Sequence, residues 1–328
     1  MLNLFYQEPE VDRWLPFDRY PRRLIRRLVR GIQRPGGQMR VFLNLCAGLD
    51  RIGAQYRVND YHHVRKHPRE LACVLGKPFV LDKFAWENPI LFGAAVHSHP
   101  IDDPKLLTRL PVKKILVPGQ WMREMCYPYW GEAVDVWPVG IDTELWCPTQ
   151  PEQKSIDVLL YDKVRWDYEK YDRLLIEPIR SLLQKSGRSF EEIRYGCYRE
   201  EDFRSALLRA RVMIFLCEHE TQGIAYQQAL SCGVPILAWD RGGPWRDPAY
   251  FPRRVTFGPV TSVPYWDERC GCRFSNTSNF AEVWEQFWND AEAGNYRSRD
   301  FILENLTLEK CARAYVEIAN NVLDAPRV

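Results

Sequence analysis

The 328 residues carry 46% apolar and 27% charged side chains, with a net charge of +2, the make-up of an ordinary globular protein with room for two cores. No run of 18 apolar residues occurs, which excludes a membrane-spanning helix, and Met1–Glu10 lacks the basic start and apolar core of a secretory leader. Ten cysteines without framework spacing, most of them in apolar surroundings, point to reduced thiols in a cytoplasmic protein; Cys270-Gly-Cys272 has no second pair to complete a metal site and is taken as structural.

In chain order, Leu2–Tyr6 predicts a first strand. Residues 21–34 follow, with apolar positions at 24, 25, 28, 29 and 32 forming one helical stripe and Arg22, Arg23, Arg26, Arg27, Arg30 and Arg34 supplying charge. Such a helix suits peripheral contact with anionic lipid, or equally a surface helix packed on its own domain. Nucleic acid is not expected, because no aromatic platform or known module accompanies the arginines. A Gly36-Gly37 pair introduces a helix from Gln38 to Ile52. Next come a strand at Tyr56–Asn59, a helix near Pro68–Leu75, a strand at Pro78–Leu81 and an apolar run Ile90–Val96 ending in His97-Ser-His99. On a strand those two histidines would share a face and could pair on a metal. A strand at Lys114–Val117, a helix at Gln120–Tyr127 and a strand at Val134–Val139 complete a first domain, residues 1–148. Residues 148–155, rich in Pro, Gln, Thr and Ser, read as a linker.

The second domain, residues 149–328, opens with a strand at Ile156–Tyr161 leading into Asp162-Lys163-Val-Arg165. A helix Tyr171–Lys185, a strand near Ile193–Tyr198 and a helix Glu201–Ala210 follow. The unalternating run Val212–Leu216 suits a strand buried on both faces of a parallel sheet. After it, Gly223 opens a helix Ile224–Ser231, Gly233 closes it and Pro235 forbids its continuation. Ile236–Trp239 is the next strand, then the turn Arg241-Gly-Gly-Pro244. Amphipathic helices at Asn279–Asp290 and Leu308–Leu323 end the chain, the first with Trp284, Phe287 and Trp288 read as core. This α/β alternation predicts two doubly wound parallel sheets.

A helix starting at a glycine presents bare N–H groups and the positive end of its dipole, which suits a phosphate. Glu220 before it and Gln228 within it can hydrogen-bond hydroxyls. The spacing Glu220, Gly223, Gln228, Ala229, Gly233, Pro235 resembles the nucleotide-sugar site of GT-B glycosyltransferases, especially family 4, whose motif has two glutamates eight residues apart; here Gln228 replaces the second. The order of segments agrees over nearly the whole chain, including Gly140-Ile-Asp-Thr143 at the crossing between domains.

The resemblance implies a GT-B fold, with two Rossmann-like domains facing a cleft and a last helix that crosses back to the first. It also implies a retaining glycosyltransferase that moves a sugar from a nucleoside-diphosphate donor to a hydroxyl of a glycan, a lipid-linked or a small-molecule acceptor. Metal independence and the need for no cofactor follow from the family as well, and no Asp-x-Asp motif occurs in the chain. Carried over position by position, Glu220 and His99 orient the donor sugar. Lys163 and Arg165, with Lys170 in reserve, meet the diphosphate. Gly36, Gly37, Gln222, Gly223, Ile224 and Gln228 complete the donor site. A GT-B nucleotide-sugar epimerase and a non-catalytic glycan- or nucleotide-binding module are the competing readings.

Overall fold

The computed structural model describes residues 1–7, 36–94, 96–148 and 154–324. The arginine-rich segment 21–34 and most of the linker lie outside the described residues. Contacts divide the chain into two units. The described residues of Met1–Pro118, Arg123–Val139 and Cys311–Val328 form the first, and those of Gly119–Met122 and Gly140–Lys310 form the second.

In the first unit, β1 (Leu2–Phe5) leads, after Gly36 and Gly37, into α1 (Gly37–Arg51), then β2 (Tyr56–Val58), α2 (Tyr61–Lys66), β3 (Ala72–Val74), β4 (Ile90–Gly93), α3 (Leu106–Arg109), β5 (Val112–Val117), α4 (Gln120–Trp130) and β6 (Val134–Val136). All strand pairs are parallel, in the order β2-β1-β3-β4-β5-β6.

Two expected elements are corrected here. The helix expected at Pro68–Leu75 is instead α2 followed by β3. The Asp60 side chain accepts from the His63 amide at 2.9 Å and starts the helix early. The buried run Leu71–Leu75 is then claimed by the sheet. Pro78–Leu81 is no strand but the start of a 3₁₀ turn, Pro78–Lys83, with proline in its first turn where the missing N–H costs nothing.

The second unit runs β7 (Ile156–Lys163), α5 (Tyr168–Tyr171), a π turn, α6 (Glu177–Lys185), β8 (Phe190–Arg194), α7 (Glu200–Arg209), β9 (Ala210–Cys217), α8 (Ile224–Ser231), β10 (Ile236–Trp239), β11 (Gly271–Phe274), α9 (Phe280–Glu292) and α10 (Ser298–Asn305). The last helix, α11 (Leu308–Asp324), passes to the first unit at Cys311. Strand order is β11-β10-β9-β7-β8, again wholly parallel. The strand expected at Ile193–Tyr198 begins three residues earlier, as the polar edge strand β8. Both β11 and α10 are short and carry no periodicity that announces them.

Helices cover both faces of the second sheet. Val158, Leu160, Val212, Ile214 and Leu216 meet α6 and α9 through Ile179, Leu183, Trp284, Phe287 and Trp288. On the other face Tyr161 and Phe215 meet Phe203 of α7 and Tyr226 of α8, with ring centroids 5.3–5.7 Å apart. This two-sided burial is why β9 reads as an unbroken apolar run. The three aromatics of α9 are core, as their sequence setting implies.

In both sheets the second strand of the unit lies outside the first and the third lies on its other side. The reversal falls between β1 and β3 in one unit and between β7 and β9 in the other. Crevices at such reversals, beyond the carboxyl ends of the strands, are where open α/β sheets bind ligands.

Candidate functional site

Lys163, the last residue of β7, is in register with Cys217, the last residue of β9. The chain beyond each strand therefore emerges side by side at the reversal point, Val164-Arg165-Trp166 from one and Glu218-His219-Glu220 from the other. Four interactions stitch these turns together. The Lys163 ammonium pairs with the Glu220 carboxylate, with side chains only 13% and 11% exposed. The Glu218 carboxylate accepts from the backbone amides of Arg165 (2.7 Å) and Trp166 (2.9 Å). Arg165 lies 3.4 Å from His219 Nε2 through one guanidinium nitrogen and rests on Trp166. Backbone bonds fix Glu220: its amide donates to the Thr261 carbonyl at 3.0 Å, and its carbonyl accepts from the Trp121 indole at 2.8 Å.

Burial works against the charge on Lys163, but the Glu220 carboxylate, with Cys217 and Tyr195, holds the ammonium up to about 12. Burial pushes the His219 imidazole down to about 3, and the cations of Arg165, Arg241 and Lys163 add to it. The ring is therefore neutral at pH 7. Its faces and edges meet Trp121, Trp166 and Trp245, at centroid distances of 5.6, 5.1 and 6.4 Å.

A stability limb follows from that depression. The unfolded chain takes up this proton near the ordinary value of 6.5 and the folded chain only near 3. Between those values the unfolded state binds more protons, so stability falls as pH falls, by up to about 1.4 kcal/mol per pH unit from this group. His219→Gln is expected to flatten that limb. Urea midpoints of both proteins between pH 7 and pH 5 check it.

The helix α8 begins beside this network. Gly223 sits at its N-cap with φ of 80°, and no side chain caps the helix start. A Cβ at Gly223 would come within 1.9 Å of the Tyr226 ring, so the position excludes every other residue on both backbone and packing grounds. Tyr226 is itself held by the backbone of Tyr265, its hydroxyl donating to the carbonyl at 3.1 Å and accepting from the amide at 3.0 Å. At the far end Gly233, with φ of 72°, donates to Leu230 O and Val234 donates to Ala229 O, the glycine closure expected there.

The named candidates occupy distinct places. Lys163, Arg165, Glu220 and Gly223 form or border one network. Gln222 faces the helix rather than open space, its amide donating to Gln227 at 3.1 Å while Gln227 returns a bond to the Gln222 carbonyl at 2.7 Å. Ile224 is half-buried in the first turn of α8, and Gln228 is buried one turn on. Lys170 is exposed on α5 against Tyr171.

His99, Gly36 and Gly37 belong to the first unit. His99 caps a short 3₁₀ turn, its Nδ1 accepting from the Ile101 amide at 3.0 Å, and is 3% exposed. β4 stops at Gly93, so His97 and His99 are not on a strand and the premise of a shared metal-binding face does not hold. Gly36 is the N-cap of α1 with no side-chain cap, and a Cβ on Gly37 would have no atom of the described residues within 4 Å.

Sequence reasoning gave no role to two contributors, Glu218 and His219, and named Arg241 only as part of a turn. Glu218 and His219 lie inside the quoted motif, yet nothing local says that one clamps the β7 turn. Arg241, from the turn after β10, donates to the Tyr171 hydroxyl at 3.1 Å. Its Nε and other terminal nitrogen are shut from solvent without a hydrogen-bond partner, as are His219 Nδ1 and Glu218 Oε2. Buried donors and acceptors are almost always paired, and among the described residues four such atoms without a hydrogen bond fall on Glu218, His219 and Arg241, with Glu218 Oε2 3.8 Å from Arg165 Nε.

No protein-family model matches the sequence, and neither does any curated protein. Solved structures do match in shape. AviGT4, a glycosyltransferase of avilamycin A biosynthesis, aligns at TM-score 0.58 over 99% of each chain with 12% identity. Sucrose-phosphate synthase of Thermosynechococcus elongatus aligns at 0.56, covering 89% of this chain and 94% of its own, with 13% identity. Anabaena HepE, solved with UDP and glucose, aligns at 0.53 over 98% of this chain and 100% of its own, with 10% identity. Two parallel sheets with the same strand reversal, matched along nearly their full length by these enzymes, give this chain the GT-B fold of the glycosyltransferases.

Proposed function

We propose that the protein is a glycosyltransferase that moves a sugar from a nucleoside-diphosphate donor to a hydroxyl acceptor, with retention of configuration and without a metal. The observation that carries this reading is the cluster at the β7–β9 reversal. There Arg165 and Arg241 add their charge at His219, the uncapped start of α8 at Gly223 lies three residues after Glu220, and Arg241, His219 and Glu218 keep buried polar atoms without a hydrogen bond among the described residues. Arg165, Arg241 and the α8 amides suit the diphosphate, where a single preorganised donor aimed at developing charge contributes about 3 kcal/mol. Glu220, paired with Lys163, accepts from sugar hydroxyls. His219 stays neutral among its tryptophans and adds no charge of its own. Gln228 takes the ribose, since an amide both donates and accepts. HepE, whose structure holds UDP and glucose, supports a uridine diphosphate donor as the first to test. Retention and metal independence rest on the family resemblance.

The test is calorimetric titration with uridine and guanosine diphosphates, followed by donor hydrolysis assays with the corresponding sugars in the presence and absence of EDTA. Expected are saturable binding of one diphosphate, slow donor hydrolysis, and no effect of EDTA. Binding without turnover of any donor assigns the chain as a binding module, the reading that Gln228 in the glutamate position favours. A changed sugar released without acceptor assigns an epimerase. No binding of any nucleoside diphosphate overturns the site.

A further inference from the structure

The described residues include one group of side chains with metal-ligand spacing, and it lies in the first unit, outside the network above. His63, on α2, and His67, just beyond its end, are four residues apart and so fall on one face. Their rings stack at 4.1 Å with planes 22° apart. Glu70 completes the group, its Oε2 lying 2.9 Å from His63 Nε2. One ligand atom from each of the three lies within 4.8 Å of the others.

We infer that His63, His67 and Glu70 form a binding site for a first-row divalent cation, with Zn²⁺ the best fit. Two imidazoles and one carboxylate are the nitrogen and oxygen donors that Zn²⁺ favours, whereas Ca²⁺ and Mg²⁺ take oxygen ligands alone. Three protein ligands leave the fourth tetrahedral position to water or a small ligand. The group needs only modest closure. Zinc bonds of about 2.1 Å put tetrahedral ligand atoms roughly 3.4 Å apart, and His67 is on the exposed side of the group, where a small tilt of its ring closes the gap with the Nδ1 bond to the His63 carbonyl kept.

The surroundings of these side chains, more than their proximity, carry the assignment. His67 Nδ1 lies 2.8 Å from the His63 carbonyl. A carbonyl only accepts, so Nδ1 holds the proton and Nε2 presents a lone pair, the tautomer that outer-shell carbonyls impose on metal-bound histidines. Glu70 Oε2 also accepts from Asn3 Nδ2 at 3.0 Å, and that asparagine is buried in β1. Asn88, 1% exposed, donates to the carbonyls of Val64 (3.3 Å), His67 (2.9 Å) and Glu70 (3.0 Å), so one amide pins the whole turn that carries two of the ligands. A bound ion would join the end of α2 to the start of β3 and brace the segment leading into the sheet.

Metal-stripped full-length protein is titrated with ZnCl₂ by calorimetry and with Co²⁺ by visible absorption, alongside His67→Ala and Glu70→Gln. Both substitutions are at partly or fully exposed side chains, and circular dichroism verifies their folding. Expected are one Zn²⁺ per chain at a dissociation constant of about 1 μM, a rise in Tm on binding, and tetrahedral Co²⁺ absorption. Each variant should bind at least roughly 10–100-fold more weakly, the loss that follows removal of even an outer-shell partner. Absence of saturable binding below about 1 mM overturns the site. So does unchanged binding in both variants, which would place the metal on the free cysteines elsewhere.

Discussion

Glu220→Gln is expected to lower sugar transfer by about 100- to 1000-fold, the loss that removal of one preorganised charged partner of the transition state produces. The substitution keeps the shape of the side chain and its two hydrogen-bonding atoms but removes the charge. Two features make Glu220 the residue of choice. Its backbone is fixed at both ends by Thr261 and Trp121, so the carboxylate cannot drift when a ligand enters. Lys163 pairs with it at the end of β7. Turnover of the preferred nucleotide sugar, measured well below the Tm of the variant, reads the effect. A drop in kcat with diphosphate affinity preserved places Glu220 at the sugar. Full activity in the variant removes it from the site.

The second large effect is on stability. Lys163→Met leaves the Glu220 carboxylate nearly buried and unpaired, and is expected to cost about 3–5 kcal/mol. Glu220→Leu alone leaves Lys163 in the same position. The double variant Lys163→Met/Glu220→Leu removes both charges and is expected to recover most of the loss, because a buried ion pair contributes little net stability over an apolar pair of similar volume. Urea unfolding of the four proteins closes the cycle. A double variant as unstable as the sum of the singles would show that the two groups do not act as a pair. The same cycle explains why Glu220→Gln must be assayed cold: it exposes the enzyme to part of this loss.

The proposed donor site holds charges of both signs. In the proposed function Arg165 and Arg241 meet the diphosphate, while Lys163 pairs with Glu220 and the Arg165 and Trp166 amides hold the buried Glu218. Neither arginine could do so from its sequence position alone, since Arg165 is 54 residues from His219 and Arg241 is 70 from Tyr171.

Where structure is local, the residues alone determine it. The apolar run before Cys217, Gly223 opening α8, and Gly233 and Pro235 closing it set the extents of β9, α8 and β10, because backbone φ limits and unbroken hydrophobicity act within a few residues. The Asp60 cap is local too, yet the expected helix at Pro68–Leu75 takes no account of it. Only the tertiary structure decides the rest. Parallel pairing of β7 with β9, in the register Lys163 to Cys217, brings Lys163 to Glu220, ties Glu218 to the Arg165 turn and sets His219 against Trp166. Short edge strands such as β11 likewise exist only because a neighbour supplies their hydrogen bonds. Local propensity has no term for a partner strand fifty residues away, and the chemistry of this site is made of such partners.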